Sequence, residues 1–165
     1  MEELRPPAPS GVGASAMITH GGGTVGLADT DGAPLTIDPA AIEAAISPRT
    51  VGIIPVHLYG QPADMMPIVE VARSHGLRVL DDAAQAHGAR YRGQSIGSLA
   101  DVTAWSFYPG KNLGAFGDGG AVTTNDAALA QRVRRLGNYG SQVKYVHIDR
   151  GVNSRLDEIQ AAILA

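Results

Sequence analysis

The chain has 165 residues, 44% of them hydrophobic and 18% charged, with a formal net charge of −3. That is the composition of one soluble globular domain with a sizeable core, and it leaves no basic surplus for a nucleic-acid partner, whose phosphates need clustered Lys and Arg. Cysteine is absent, which removes disulfides, thiolate metal sites and cysteine nucleophiles.

The opening Met1-Glu2-Glu3-Leu4-Arg5 lacks the basic start and apolar stretch of a signal peptide, and no apolar run is long enough to span a bilayer. A cytoplasmic protein with no membrane partner is expected. Pro6, Pro7, Pro9 and the glycines up to Gly23 give residues 1–23 the composition of a flexible arm. From residue 24 to 165 the pattern alternates: strand-like Thr24–Ala28, helix-like Pro39–Ile46, strand-like Val51–His57, helix-like Met65–His75 and strand-like Leu77–Asp81. Asp38-Pro39 is a helix start, because the aspartate caps free amides and proline suits the first helical position; Gly76 is a helix stop. Strands are expected at Val102–Phe107 and Gly120–Thr124. Asn125-Asp126 opens a helix with Leu129, Val133 and Leu136 at helical spacing, and another helix runs on from Leu156. Short strands alternating with helices predict an α/β fold with a mostly parallel sheet flanked by helices.

Two stretches stand out for chemistry. In Ser106-Phe107-Tyr108-Pro109-Gly110-Lys111-Asn112-Leu113-Gly114 a lone lysine follows a strand and lies among small residues. Most lysines are solvated surface groups, but one flanked this way can be desolvated, which supplies the neutral amine that imine formation requires. In Leu80-Asp81-Asp82-Ala83-Ala84-Gln85-Ala86-His87-Gly88 a strand runs into two carboxylates. Neighbouring strand residues point to opposite faces, so at most one of the pair enters a given site. Asp82 either caps the turn or stands beyond the carboxyl end of its strand, where ligands gather in open parallel sheets.

Other motif matches fail. Gly21-Gly22-Gly23-Thr24-Val25-Gly26 has the spacing of a dinucleotide fingerprint but precedes a strand-like run instead of joining a strand to a helix. Gly110-Lys111 is no P-loop, since Trp105 and Asn112 stand where glycine and Ser or Thr are needed. His20, His57, His75, His87 and His147 show no paired ligand spacing, so no metal is assigned and a structural role is expected for most of them.

Four blocks carry a resemblance: Val56-His57-Leu58-Tyr59-Gly60-Gln61-Pro62; Asp82-Ala83-Ala84-Gln85-Ala86-His87-Gly88-Ala89; Ser106-Phe107 with Lys111-Asn112-Leu113-Gly114; and Gly151-Val152-Asn153-Ser154-Arg155-Leu156-Asp157-Glu158-Ile159-Gln160-Ala161-Ala162. In this order they resemble the DegT/DnrJ/EryC1/StrS aminotransferases, from about residue 26 to the end. The resemblance implies a fold-type I transferase large domain that binds pyridoxal 5'-phosphate, in a homodimer or larger oligomer with active sites at the subunit interface. It implies Lys111 as the Schiff-base lysine, Asp82 as partner of the pyridine nitrogen, Gln85 beside the ring near its 3-hydroxyl, Ser106 as a phosphate ligand, and Asn153 as the asparagine offered to the neighbouring subunit's phosphate. The implied reaction moves an amino group from an amino acid, usually glutamate, to a keto group of a nucleotide-linked sugar. Glutamine at position 85 leans toward 3-amino products, where histidine leans toward 4-amino ones.

Family members are longer, and residues 1–23 do not resemble the helix and Gly-Thr/Ser turn that clasp the cofactor phosphate. The expectation is therefore a partial pyridoxal-phosphate-binding domain over residues 24–165, truncated at both ends. Two other readings stay open: an inactive remnant of the fold serving as a binding or oligomerising module, and a lysine Schiff-base enzyme working without pyridoxal phosphate.

Overall fold

The computed structural model describes residues 3–5, 12–30, 32 and 35–165. In chain order its elements begin with β1 (Glu3–Arg5), α1 (Val12–His20), β2 (Thr24–Val25), α2 (Pro39–Ala45), β3 (Thr50–Ile53), α3 (Met65–Ser74) and β4 (Arg78–Asp82). There follow β5 (Arg90–Tyr91), β6 (Gln94–Ser95), β7 (Val102–Ser106), β8 (Gly120–Thr123), α4 (Ala127–Leu136), β9 (Ser141–Val143), β10 (Val146–His147) and α5 (Glu158–Leu164). A six-stranded sheet has the order β2-β1-β3-β4-β7-β8. Every pairing in it is parallel except β7 with β8, which is the α/β architecture the alternating pattern predicts.

Local signals place the helix ends. Asp38 Oδ1 accepts the Ala40 amide at 2.9 Å with Pro39 at the first position of α2, and Asp126 Oδ1 accepts the amides of Ala128 and Leu129 at 2.8 and 3.1 Å to start α4. Gly76, with φ 66°, closes the end of α3. Helices α2 and α3 cover one face of β3 and β4. Ile42, Met65, Ile68 and Ala72 from the helices meet Ile53 and Val79 from the strands, none more than 3% exposed. Each large apolar side chain so buried contributes about 1.5–3 kcal/mol. Helices α4 and α5 carry no buried residue. No helix among the described residues is long and apolar enough to cross a membrane.

Two expectations change. Residues 1–23, read as a flexible arm, contain β1 and α1. The three residues of β1 lie between β2 and β3, paired in parallel to both with a register shift against β3 at Glu3/Leu4, so the strand exists through its neighbours and leaves no periodic trace in the sequence. The Ala14–His20 run has helix propensity that the surrounding glycines and prolines mask, and Ile18 buries its side chain. The expected strand Val51–His57 splits: β3 stops at Ile53, and Val56 returns as a single parallel bridge to Asp82. Between them Pro55 has no amide to donate.

Candidate active site

The two aspartates of β4 separate as strand geometry requires. Asp81 pairs in register with Thr103 and both are fully buried on the core side. Asp82 pairs with Ala104, so on the other face it lies beside β7 and shares that face with Ser106, two residues further along. Asp82 is half-buried. Its backbone is clamped between Pro55, whose carbonyl accepts its amide at 2.9 Å, and His57, whose amide donates to its carbonyl at 3.1 Å. Its Oδ1 accepts the Ala84 amide at 3.1 Å, so it does cap the turn, and Oδ2 forms no hydrogen bond among the described residues.

The loop after β7 carries Lys111. It is wound tightly: the Lys111 amide donates to the Tyr108 carbonyl at 2.9 Å and the Ala115 amide to the Phe107 carbonyl at 2.8 Å. A Cβ at Gly114 would come within 2.7 Å of the Pro109 carbonyl oxygen, so only glycine fits that approach. Lys111 is half-buried and its ammonium has no hydrogen bond or ion pair among the described residues. Ser106 Oγ accepts the Tyr108 amide at 3.3 Å, which leaves its hydroxyl proton free to donate.

Asn112 ties this loop to the segment that begins at Asp82. Its Oδ1 lies 2.8 Å from His87 Nδ1, and its Nδ2 donates to the His87 carbonyl at 3.2 Å. Gln85, in the same segment, accepts the Tyr59 amide on Oε1 at 2.7 Å. Asp82, Gln85, Ser106 and Lys111 therefore belong to two adjoining segments at the carboxyl ends of β4 and β7. Asn153 belongs to a different segment: it bridges Asn138, is exposed, and accepts from Arg155 Nε at 2.9 Å. A cleft of about 880 Å³ opens at the opposite edge, where β4 and β7 begin, and neither Lys111 nor Asp82 borders it. A structural role is the expectation for most of the histidines, with none singled out. The link of His87 to Asn112 joins residues 25 positions apart, and no local spacing announces such a pair.

This donor set, an unpaired amine and a carboxylate at neighbouring strand ends with a free hydroxyl beside them, fits pyridoxal phosphate, which needs a nucleophilic amine, an anionic partner for its ring nitrogen and donors for its phosphate.

The sequence profile of the DegT/DnrJ/EryC1/StrS aminotransferase family matches residues 6–165, further toward the amino terminus than the motif blocks reach. Among curated relatives, the dTDP-3-amino-3,4,6-trideoxy-alpha-D-glucose transaminase of Streptomyces venezuelae is 63% identical over 78% of this chain and 34% of its own length. The UDP-N-acetyl-3-dehydro-alpha-D-glucosamine 3-aminotransferase of Acidithiobacillus ferrooxidans is 53% identical over 89% of this chain and 40% of its own. The crystal structure of S. venezuelae DesV in complex with a ketimine intermediate superposes with a TM-score of 0.96 at 52% identity, covering 99% of this chain and 44% of that one. The chain thus spans less than half the length of these relatives. Sharing both their sequence and their sheet, it belongs to the DegT/DnrJ/EryC1/StrS aminotransferase family.

Proposed function

We propose that the chain is the cofactor-holding portion of a pyridoxal-phosphate aminotransferase that moves an amino group from glutamate to a keto group of a nucleotide-linked sugar. The observation that carries this reading is Lys111, half-buried and unpaired among the described residues, in a glycine-wound loop next to the segment opened by Asp82. The names of the two relatives above, both transaminases of nucleotide-linked 3-amino sugars, support the substrate class. Gln85 agrees with a 3-amino product.

Bound there, the cofactor supplies an aldehyde for the amine and a ring that accepts electrons. Asp82 would face the ring nitrogen, and its carboxylate would favour a proton there, a charge pairing that strengthens where water is excluded. Lys111 Nζ would be the amine that holds the cofactor and, when not so engaged, the group placed to move a proton as base and then acid. Gln85 has its Oε1 committed to Tyr59 and would have its amide protons left for the cofactor ring. Ser106 would offer its hydroxyl proton to the phosphate. Asn153, with Oδ1 engaged by Arg155, has amide protons left for the phosphate held by a neighbouring subunit. That role calls for a homodimer or larger oligomer. Exposed Tyr108, Phe116, Tyr145, Val152 and Ile159, from the loop after β7 onward, supply apolar area for such an interface.

The test is spectroscopic. Added pyridoxal phosphate is expected to give a visible absorption band that Lys111→Ala abolishes and that glutamate bleaches. A Lys111-dependent band that no amino donor changes identifies an inactive remnant. Absence of any such band in folded protein ends the cofactor reading.

A further inference from the structure

The two hydrogen bonds between His87 and Asn112 fix more than each other. Asn112 Nδ2 donates to the His87 carbonyl, which forces Oδ1 of the same amide toward the ring. Facing an acceptor at 2.8 Å, His87 Nδ1 must carry the proton, and in the neutral ring Nε2 is left with a bare lone pair. Nε2 is buried and has no hydrogen-bond partner among the described residues. The ring is held between two aromatic side chains of β7 and its extension, with centroids 5.4 Å from Trp105 and 5.7 Å from Phe107. Turning it over would put a carbon against Asn112 Oδ1, so one orientation alone satisfies the amide.

We propose that His87 is a positioning residue for Lys111: by gripping Asn112 through both ring and backbone, it holds the Lys111 loop against the segment opened by Asp82. The loop's own bonds, Lys111 to Tyr108 and Ala115 to Phe107, wind it up but do not join it to β4. Asn112 is the adjacent residue that does, and His87 supplies both of its contacts. The functional part of this inference rests on the aminotransferase reading; the mechanical part does not.

Two variants separate bond from packing. His87→Phe keeps a flat ring between Trp105 and Phe107 but removes the donor, and Asn112→Ala removes the acceptor while leaving the imidazole. In the chain without cofactor, both are expected to speed hydrogen exchange at the Lys111 and Ala115 amides. With pyridoxal phosphate added, the rate of Lys111-dependent band formation should fall roughly tenfold, the scale of losing one or two neutral hydrogen bonds, while the thermal midpoint of the sheet changes little. The double variant should be no worse than Asn112→Ala alone, because that change already removes both bonds of the link, whereas His87→Phe leaves the bond to the residue-87 carbonyl. Unchanged exchange in both variants, or losses that simply add in the double variant, overturns the proposal. A wild-type chain with no Lys111-dependent band would refute the aminotransferase reading, and the exchange rates would still decide whether His87 braces the loop.

Discussion

His57 Nε2 and Asp81 Oδ1 face each other 3.6 Å apart with both side chains fully withdrawn from solvent. The imidazole cannot turn away, because its Nδ1 accepts the Ala63 amide at 3.1 Å, which puts the ring proton on Nε2, toward the carboxylate. The other Asp81 oxygen has only a long contact from Thr103 Oγ1 at 3.4 Å. Neither Nε2 nor Oδ1 completes a hydrogen bond, so the buried carboxylate depends on this facing ring. Because Nδ1 accepts, the ring meets the carboxylate as a donor and not as a cation, so removing it strips a buried polar group of its facing donor at a cost of about 1–3 kcal/mol. His57→Ala should therefore lose about that much in urea unfolding, and Asp81→Asn, which removes the charge itself, should lose less. A His57→Ala variant as stable as wild type would refute this account.

The next residue along β4 should behave differently. Asp82→Asn retains an oxygen for the Ala84 amide, and the backbone clamp from Pro55 and His57 does not involve the side chain. Stability should hold. Turnover should fall about 10²–10³-fold, the scale of losing one preorganised charge at a reacting centre. The check is amino transfer from glutamate set beside the unfolding midpoint; loss of both together would mark Asp82 as structural.

What the sequence reveals here is what is local. Asp38-Pro39, Gly76 and Asp126 act on backbone groups within a few positions, and each appears in the structure where its residue type predicts. Asp81 and Asp82 diverge because strand geometry leaves them no choice. By contrast, β1 owes its existence to strands on either side, and α1 is hidden by the glycines and prolines around it. At the site, Lys111 and Asp82 stand out by motif. The pairing that joins their segments does not, because His87 and Asn112 meet across 25 positions without any period to mark them.

Gly97 has φ +95°, and a Cβ there would come within 2.8 Å of Trp105 Cζ2. Trp105 is held by its Nε1 donating to Thr123 Oγ1 at 2.9 Å, and it packs against His87. Gly97→Ala must therefore push the indole, strain the backbone, or both, at about 1–3 kcal/mol. Trp105 is the only tryptophan in the chain, so its fluorescence reads the displacement directly. The emission should shift and the unfolding midpoint should drop; an unaltered spectrum would show that the pocket absorbs the methyl group.

Tyr91 connects the β5–β6 hairpin to the start of α3 through a short hydrogen bond from its hydroxyl to Asp64. Its pKa is raised above the ordinary 10.0, chiefly by burial and next by that bond to the carboxylate; the Met66 amide and Arg92 pull the other way. The folded protein then keeps the phenol proton at a pH where the unfolded chain has lost it. The contribution to stability is thus intact below pH 10.0 and is lost as the pH rises through the higher folded value. Tyrosinate absorbance titrated in wild type and in Tyr91→Phe should differ by one component appearing above pH 10, and the alkaline fall in wild-type stability should be smaller in the variant. A missing component that titrates at or below the ordinary tyrosine value would mean that Asp64 does not hold the phenol in its protonated form.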